Sequence, residues 1–224
     1  MEDLGKIHQL IVNLSGYEMT FNLDILVMTW IVIIGVLIFG RYAAKNRHLI
    51  PGPLQTIGET FVFQFYSLTE DALGEDMAKT YGPMIIALFI FLLSCNLIGM
   101  IPHMYEPTND LNTPLSLGIM GFFIAHYAGI RQKGLKKYLK TYVEPIFFMA
   151  PLNIIGELSK VISISFRLFG NIMGGTIIVL VVSHLVFSLV LPPFLTAFFV
   201  IFIGAIQAFV FTMLTLVYIA VQVN

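Results

Sequence analysis

The sequence predicts an all-α polytopic membrane protein with about five membrane-crossing helices, and two observations support this fold class. The 224 residues are 58% hydrophobic and only 11% charged, with a mean hydropathy of +0.88, whereas soluble globular domains carry about 25% charged residues. The apolar residues also form long runs, and about 20 apolar residues are enough for a helix to cross a bilayer. We therefore expect one integral membrane domain over residues 1–224.

The first predicted span covers residues 23–40 and follows an N-terminal segment, 1–22. Three basic residues, Arg41, Lys45 and Arg47, come directly after the span. Because Lys and Arg are enriched in cytoplasmic loops, this end of the span is expected inside and the N-terminus outside. No basic stretch leads into an apolar core at the N-terminus, so no cleavable signal peptide is expected.

An amphipathic helix is predicted over residues 54–72, after the break at Pro51-Gly-Pro53. Its apolar residues recur at steps of three and four, as on one face of a helix; they are Leu54, Ile57, Phe61, Phe65, Leu68 and Ala72. The opposite face is acidic, so anionic lipid is not expected to hold it. Three placements stay open: on the cytoplasmic membrane face, against a protein neighbour, or as an ordinary packing helix.

Two further spans are predicted, over residues 83–101 and 114–130. The loop between them, 106–112, contains acids and no Lys or Arg, and Thr113-Pro114 is typical of a helix start. The segment after the third span is basic: Arg131, Lys133, Lys136, Lys137 and Lys140. Eight of the 12 Lys and Arg residues therefore lie in two loops, which predicts that these loops are cytoplasmic.

The last part of the chain consists of two long apolar pieces, 146–190 and 194–222, on either side of Pro192-Pro193. The first piece is about twice as long as an upright helix requires. It is therefore expected either to turn, at Gly174-Gly175, or to form one long and steeply tilted helix. Five crossings in total place the C-terminus in the cytoplasm.

A single arginine, Arg167, lies inside the first of these pieces. A charge at mid-membrane costs about 2.5–3.5 kcal/mol on insertion scales, so such a residue is a functional candidate. On a straight helix the nearest acid of the same stretch, Glu157, lies about 15 Å away along the axis and about 80° around it. A carboxylate partner is therefore expected from elsewhere in the fold or from another protein. The alternatives are that Arg167 reaches towards the membrane interface or clamps backbone carbonyls.

Arg167 shares one helix face with small and polar residues. Those within about 40° of its direction at 100° per residue are Asn153, Gly156, Ser163, Asn171 and Gly174. Small residues allow another helix to approach closely, so this face predicts an intimate protein contact. Taken singly, the polar members fit a role in inter-helix hydrogen bonding as well as a role in transport. Gln207, in the last span, fits inter-helix hydrogen bonding better than transport.

The stretch from Ser159 to Asn171, Ser-Lys-Val-Ile-Ser-Ile-Ser-Phe-Arg-Leu-Phe-Gly-Asn, closely resembles the signature of subunit a of bacterial F-type ATP synthases. The segment 207–218, the loop Asp110-Leu-Asn112 and Asn96-Leu97 with Pro102 are similar to the same family. The resemblance implies a proton-translocating stator subunit of the bacterial plasma membrane, which couples proton flow to rotation and ATP synthesis and is not catalytic by itself.

The resemblance also implies a set of partners. The last two long helices are expected to form a tilted hairpin against a ring of c subunits, each with one mid-membrane carboxylate. Two offset half-channels lead to that ring, with Arg167 between them. The b-subunit peripheral stalk, the rest of the ATP synthase complex and the lipid bilayer are further partners, while no cofactor, metal or nucleic acid is implied.

Matching the family pattern residue by residue assigns proton translocation to Arg167, Asn171, Gln207, Glu157, Asn153, Ser163, Thr176 and His184. Asn171 and Gln207 resemble the polar pair of the outer half-channel. Asn153 stands where the family often has an inner glutamate, and Glu157, one turn along, is expected to take its place.

Two further positions depart from the family pattern. Thr176, nine residues after the arginine, stands where several members have Glu or His, and Gly99 stands where some have an acid. The outer proton relay therefore stays open among Ser183, His184, His103 and water.

Two other functions and a second ion are weighed against this interpretation. A stand-alone transporter that binds an anion through Arg167 predicts an internal repeat, and none is apparent. A membrane enzyme requires a catalytic constellation, and the five histidines are scattered without metal-ligand spacing. Na⁺ in place of H⁺ stays open, because ion selectivity depends largely on the ring.

Overall fold

The computed structural model describes residues 9–14, 17–45, 52–101, 104–143, 150–185 and 191–223. Five helical segments in this part of the chain are long and apolar enough to cross a membrane, which confirms the predicted polytopic helical class. The helices are α1 (Leu23–Lys45), α2 (Pro53–Leu73), α3 (Glu75–Leu97), α4 (Asn112–Lys133), α5 (Leu135–Val143), α6 (Ala150–Leu185), α7 (Leu191–Ala197) and α8 (Gly204–Val223). A π-helical stretch, Phe198–Ile203, joins α7 to α8 in one apolar segment.

An antiparallel β-hairpin precedes α1 and was not predicted. Its strands are β1 (Gln9–Leu14) and β2 (Tyr17–Asn22), and they pair from Gln9 with Asn22 to Leu14 with Tyr17. The signal was present in β2, where Tyr-Glu-Met-Thr-Phe-Asn alternates with the period of two that is typical of a strand. The Asn22 amide donates a hydrogen bond to the Asp110 carboxylate, so the hairpin is tied to the loop between α3 and α4.

Helices α2 and α3 form a helical hairpin that turns at Gly74. Gly74 has φ = +82°, a conformation that glycine adopts without steric cost. The rings of Phe61 and Phe65 lie 5.2 and 4.5 Å from the ring of Phe89, measured between centroids. The predicted amphipathic helix is therefore present, and Phe61 and Phe65 of its apolar stripe pack against α3, which favours the packing-helix placement.

Two helix starts differ from the prediction. Helix α3 begins at Glu75, eight residues before the predicted span 83–101, because its charged first turns are helical without being apolar, and Pro83 lies inside the helix. Helix α4 begins at Asn112, before the expected start at Thr113-Pro114. The Asp110 carboxylate accepts a hydrogen bond from the backbone N–H of Asn112 at 2.9 Å. An acid, and not the threonine hydroxyl, therefore satisfies the first N–H group of the helix.

Helix α6 is one unbroken helix of 36 residues. It continues through Gly174-Gly175, so the alternative of a turn at this point is wrong. At 1.5 Å per residue it is about 54 Å long, well over the roughly 30 Å of a bilayer core. The ends of the predicted piece, 146–149 and 186–190, lie outside the described residues. The last apolar segment begins at residue 191 and not at 194, because prolines fit in the first turn of a helix, where N–H groups have no partner.

The core forms where α3, α4 and α8 meet, with α2 and α6 against them. Its largest fully buried apolar side chains are Ile85, Leu92, Leu168, Phe211, Leu216 and Ile219. Helix α4 presents small residues: a Cβ added at Gly121 would meet Thr215 Cγ2 at 3.2 Å, and one at Gly129 would meet the Gln222 carbonyl at 2.9 Å. These contacts bring the backbones of α4 and α8 close together.

The bundle has two chemically different ends. We refer to the end that carries residues 98–111 as the acidic-loop end and to the end that carries residues 131–143 as the basic-loop end. The β-hairpin lies at the acidic-loop end, through the bond from Asn22 to Asp110. Helix α5 lies at the basic-loop end, where the Tyr138 hydroxyl donates to Gln222 Oε1 at 2.9 Å.

Candidate functional site

Helix α6 has one face covered by the rest of the chain and one face left open. The covered face consists of Val161, Ile164, Ser165, Leu168, Ile172 and Gly175. The Ser165 hydroxyl donates to the Pro114 carbonyl at 3.1 Å and anchors this face on α4. On the open face, a Cβ added at Gly156, Gly170 or Gly174 would meet no atom of the described residues within 4 Å.

Arg167 lies on the open face and is exposed, as is Ser163 one turn before it. Among the described residues, no carboxylate lies within 4.0 Å of the Arg167 guanidinium, and the ion pairs found there join Lys79 to Glu75 and Lys160 to Glu157. The arginine is therefore presented on a surface of small residues, with no acid of the described chain beside it.

Asn171 and Gln207 come together across α6 and α8. The Asn171 Nδ2 group donates to Gln207 Oε1 at 2.6 Å. Gln207 is only 3% exposed, and its Nε2 group is buried without a hydrogen-bond partner among the described residues. An unsatisfied buried donor costs about 1–3 kcal/mol. This amide is therefore a place where water or another chain can supply the missing acceptor.

A cavity of about 300 Å³ opens beside this pair, at the acidic-loop end. It lies between α6, the segment from α7 into the π-helical stretch, and the loop that follows α3. The polar side chains that line it are Glu106, Asn109, Asn171, Thr176 and Thr196. The Thr176 hydroxyl donates to the Ile172 carbonyl of its own helix at 3.1 Å.

Glu106 reaches into this cavity across Gly99. A Cβ added at Gly99 would lie 2.5 Å from Glu106 Cγ and 2.6 Å from its Cδ, so the glutamate side chain occupies the space that a side chain at residue 99 would take. Burial raises the pKa of Glu106 to about 7, because the carboxylate loses hydration. Sequence reasoning missed Glu106, since only its position in a loop without basic residues set it apart.

The loop that carries Glu106 is fixed by two buried polar side chains. The Thr108 hydroxyl donates to Asn96 Oδ1 at 2.7 Å, and Asn96 Nδ2 donates to the Gly204 carbonyl at 2.8 Å. Asn96 and Thr108 are both 0% exposed. The loop is therefore held at once to α3 and to the point where the π-helical stretch meets α8.

Glu157 and Asn153 lie towards the basic-loop end of α6. Glu157 pairs with Lys160 at 2.6 Å, and the side chains are 17% and 37% exposed, respectively. Asn153 Nδ2 donates to the Tyr142 carbonyl of α5 at 3.1 Å. These two residues are therefore separated from the cavity by the length of α6 that contains Arg167.

Two other candidates for an outer relay, His184 and Ser183, do not line the cavity. His184 is exposed, with Nδ1 at 2.9 Å from the Leu180 carbonyl, and the Ser183 hydroxyl donates to the same carbonyl at 2.7 Å. Neither is among the described residues that line the cavity. His103 lies outside the described residues.

Comparison with known proteins matches residues 26–220 to the family described as ATP synthase A chain. The ATP synthase subunit a of Moorella thermoacetica is 39% identical over 195 residues, which cover 87% of this chain and 88% of the relative. The subunit a of Aliarcobacter butzleri is 39% identical over 204 residues, with 88% and 87% covered. The subunit a of Helicobacter pylori is 34% identical over 206 residues, with 89% and 90% covered.

Proposed function

The chain belongs to the ATP synthase A chain family, and on this premise we propose that it is the proton-conducting stator subunit of the membrane sector, with Arg167 between two half-channels. A ring carboxylate takes up a proton at one half-channel, rotates with the ring, and releases the proton at the other. Rotation then couples the proton flow to ATP synthesis in the catalytic part of the complex. The partners are a ring of c subunits, a b-subunit peripheral stalk and the rest of the synthase, in a bacterial plasma membrane.

The open face of α6 is the observation that carries this proposal. Arg167 lies there with Gly156, Gly170 and Gly174, none of which would have a neighbour in the described part of the chain within 4 Å of an added Cβ. A helix of another subunit can therefore approach the α6 backbone closely. A mid-membrane carboxylate on that helix would supply the counter-charge that a guanidinium in the membrane needs.

The chemistry of arginine fits the role of a barrier between the half-channels. Its guanidinium stays protonated under all ordinary conditions and offers five N–H donors. It can therefore attract a deprotonated ring carboxylate while opposing the passage of a free proton along the same path. A lysine ammonium, by contrast, loses its proton more readily when it is buried.

The two half-channels are assigned to opposite sides of Arg167. Glu157 and Asn153 precede it by about 15 and 21 Å along the helix and serve the basic-loop end, whereas Asn171 follows it by about 6 Å. Asn171, Gln207 and the cavity serve the acidic-loop end. The excess of Lys and Arg at the basic-loop end supports a cytoplasmic location for that end, with the N-terminus outside and the C-terminus inside.

The role of Arg167 is tested by ATP-driven acidification of membrane vesicles that contain the whole complex. In Arg167→Ala, we expect assembly of the complex and hydrolysis of ATP without acidification, together with a passive proton leak. The matched control is Arg131→Ala, because Arg131 is exposed in the last turn of α4, and its replacement is expected to leave pumping intact. Normal pumping by Arg167→Ala would reduce Arg167 to a structural clamp and refute the proposal.

The same vesicles test the inner half-channel. Glu157→Gln removes the titratable group but keeps the hydrogen-bonding shape, so proton release to the basic-loop side and pumping are expected to fall sharply. Lys160→Gln is the control, because it breaks the same ion pair while leaving the carboxylate in place. Equal defects in the two variants would show that the pair matters only for structure.

A further inference from the structure

We infer that Glu106 is the proton-relay residue of the half-channel at the acidic-loop end. This inference rests on the proposed function, since it names the titratable group of a half-channel that the proposal requires. The position nine residues after the arginine cannot serve, because a threonine hydroxyl does not titrate near neutral pH. Thr176 is, moreover, hydrogen-bonded to its own helix.

The first step of the argument is that Glu106 opens onto the space that leads to Asn171. Its side chain lines the same cavity of about 300 Å³ as Asn171, Thr176 and Thr196. A water molecule occupies about 30 Å³ in the liquid, so the cavity has room for several. A chain of water molecules can therefore connect the Glu106 carboxyl with the Asn171–Gln207 pair, where the buried Gln207 Nε2 group has no acceptor among the described residues.

The second step is that Glu106 has no titratable competitor among the described residues of the lining. The loop contributes Met104 and Asn109, α6 contributes Asn171 and Thr176, and α7 contributes Thr196. Asp110, the nearest acid along the chain, is bonded instead to Asn22 and to the Asn112 amide. Among the described lining residues, Glu106 is therefore the side chain that can carry a proton through this cavity.

The third step concerns the chemistry of the carboxyl group. The raised pKa of Glu106, about 7, means that both protonation states are populated near neutral pH, which is the condition for an efficient proton donor and acceptor. Glu106 takes a proton from water on one side and passes it through cavity water to a ring carboxylate. It returns to its starting state, so one proton crosses for each proton taken up.

Gly99 provides the means of testing the role of the carboxyl apart from the shape of the loop. The side chain of Glu106 lies directly over Gly99. A glutamate at residue 99, combined with alanine at residue 106, would therefore place a carboxyl group in the same space from a different backbone position.

The experiment measures ATP-driven acidification and ATP hydrolysis by the assembled complex over a series of luminal pH values. We expect Glu106→Gln to lower pumping about 100-fold, at the lower end of the usual acid–base contribution, and Glu106→Ala to do the same. The swap variant Gly99→Glu/Glu106→Ala should recover a large part of the lost rate. Glu75→Gln is the control, because it removes an exposed carboxylate whose ion pair with Lys79 contributes little.

The dependence on luminal pH provides a readout that a purely structural role would not change. The pumping rate of the wild type should depend on luminal pH with a midpoint near pH 7. The pumping rate of Glu106→Gln should show no such midpoint. Wild-type pumping by Glu106→Gln would overturn the inference, as would a swap variant no faster than Glu106→Ala. If the Gln variant fails to assemble, the absence of any midpoint between about pH 6 and 8 in the wild type would overturn it.

The inference and the proposed function can fail separately. Normal pumping by Glu106→Gln together with a defect in Arg167→Ala would remove only the relay and leave the stator function standing. Normal pumping by Arg167→Ala would remove the proposed function itself.

Discussion

At the scale of single residues, the polar groups of α6 differ in how their bonding capacity is met. Glu157 and Lys160 satisfy each other one turn apart, and Thr176 bonds to its own helix. The Arg167 guanidinium and the Nε2 group of Gln207, by contrast, have no partner among the described residues. Polar groups without a partner are costly in a membrane unless water or another chain supplies one, and they mark the part of the subunit where the proposed contact with the ring would form.

The Asn171–Gln207 hydrogen bond predicts that these two residues act as one unit. Gln207→Leu and Asn171→Leu should each slow pumping about fivefold, which corresponds to a hydrogen bond of about 1 kcal/mol. The double variant should be no slower than the worse single variant, because either change already breaks the pair. The measurement is the initial rate of ATP-driven acidification.

Exposed Gln64 provides the control for this prediction. Gln64→Leu replaces the same side chain on the exposed face of α2 and should leave the rate unchanged. Effects of the two single variants that multiply in the double variant would mean that the residues act independently.

At the scale of elements, the two faces of α6 differ in how closely the rest of the chain packs against them. Gly175 belongs to the covered face, where an added Cβ would lie 2.8 Å from Phe199 Cδ1 and 3.0 Å from its Cγ. Gly174, the next residue back, would meet nothing within 4 Å. The same residue type at neighbouring positions therefore separates the face packed within the chain from the open face that we propose meets another subunit.

This contrast predicts different defects for two matched variants. Gly175→Leu should destabilise the subunit by about 1–3 kcal/mol, because α6 must move away from the π-helical stretch, and the thermal midpoint of the purified complex should fall. Gly174→Leu should leave the fold of the subunit intact but hinder the approach of the ring, so assembly with the ring or coupled pumping should fail. An intact ring contact in Gly174→Leu would contradict the assignment of the open face.

At the scale of the whole molecule, the two ends of the bundle differ in charge and in structure. The acidic-loop end carries the β-hairpin, the fixed loop and the cavity, whereas the basic-loop end carries α5 and its cluster of tyrosines. Tyr138 and Tyr142 both bond to Gln222 there, at 2.9 and 3.3 Å. Which of the two proposed half-channels opens to the cytoplasm therefore depends on the orientation of the bundle in the membrane.

Cysteine labelling tests the proposed orientation. The sequence contains a single cysteine, Cys95, which is 0% exposed and should not react. Tyr105→Cys and Lys137→Cys place thiols at exposed positions of the acidic-loop and basic-loop ends. A membrane-impermeant maleimide should label the thiol at residue 105 in intact cells and the thiol at residue 137 only in inverted vesicles. The reverse pattern would contradict the proposed orientation.

Much of the fold could be predicted from the sequence because it depends on local composition. Apolar runs long enough to cross a bilayer predicted all five spans, and the stripe of Phe61 and Phe65 predicted α2. The predicted helix boundaries were less accurate where a helix extends beyond its apolar run. Glu75 is an example, because its charge excluded it from the apolar span although it begins α3. The hairpin at 9–22 was missed because its alternation is short and its pairing joins two strands.

The sequence by itself determined the helical membrane class, the arginine-bearing face of α6 and the family resemblance, since each depends on composition or on residue order along one helix. Only the tertiary structure decided that α6 runs unbroken through Gly174-Gly175, that Asn171 meets Gln207, and that Glu106 lies over Gly99 in the cavity. The physical reason is that these features depend on distances between segments far apart in the chain. Such distances depend on how closely small residues allow the helices to pack, and residue order along a single segment does not predict them.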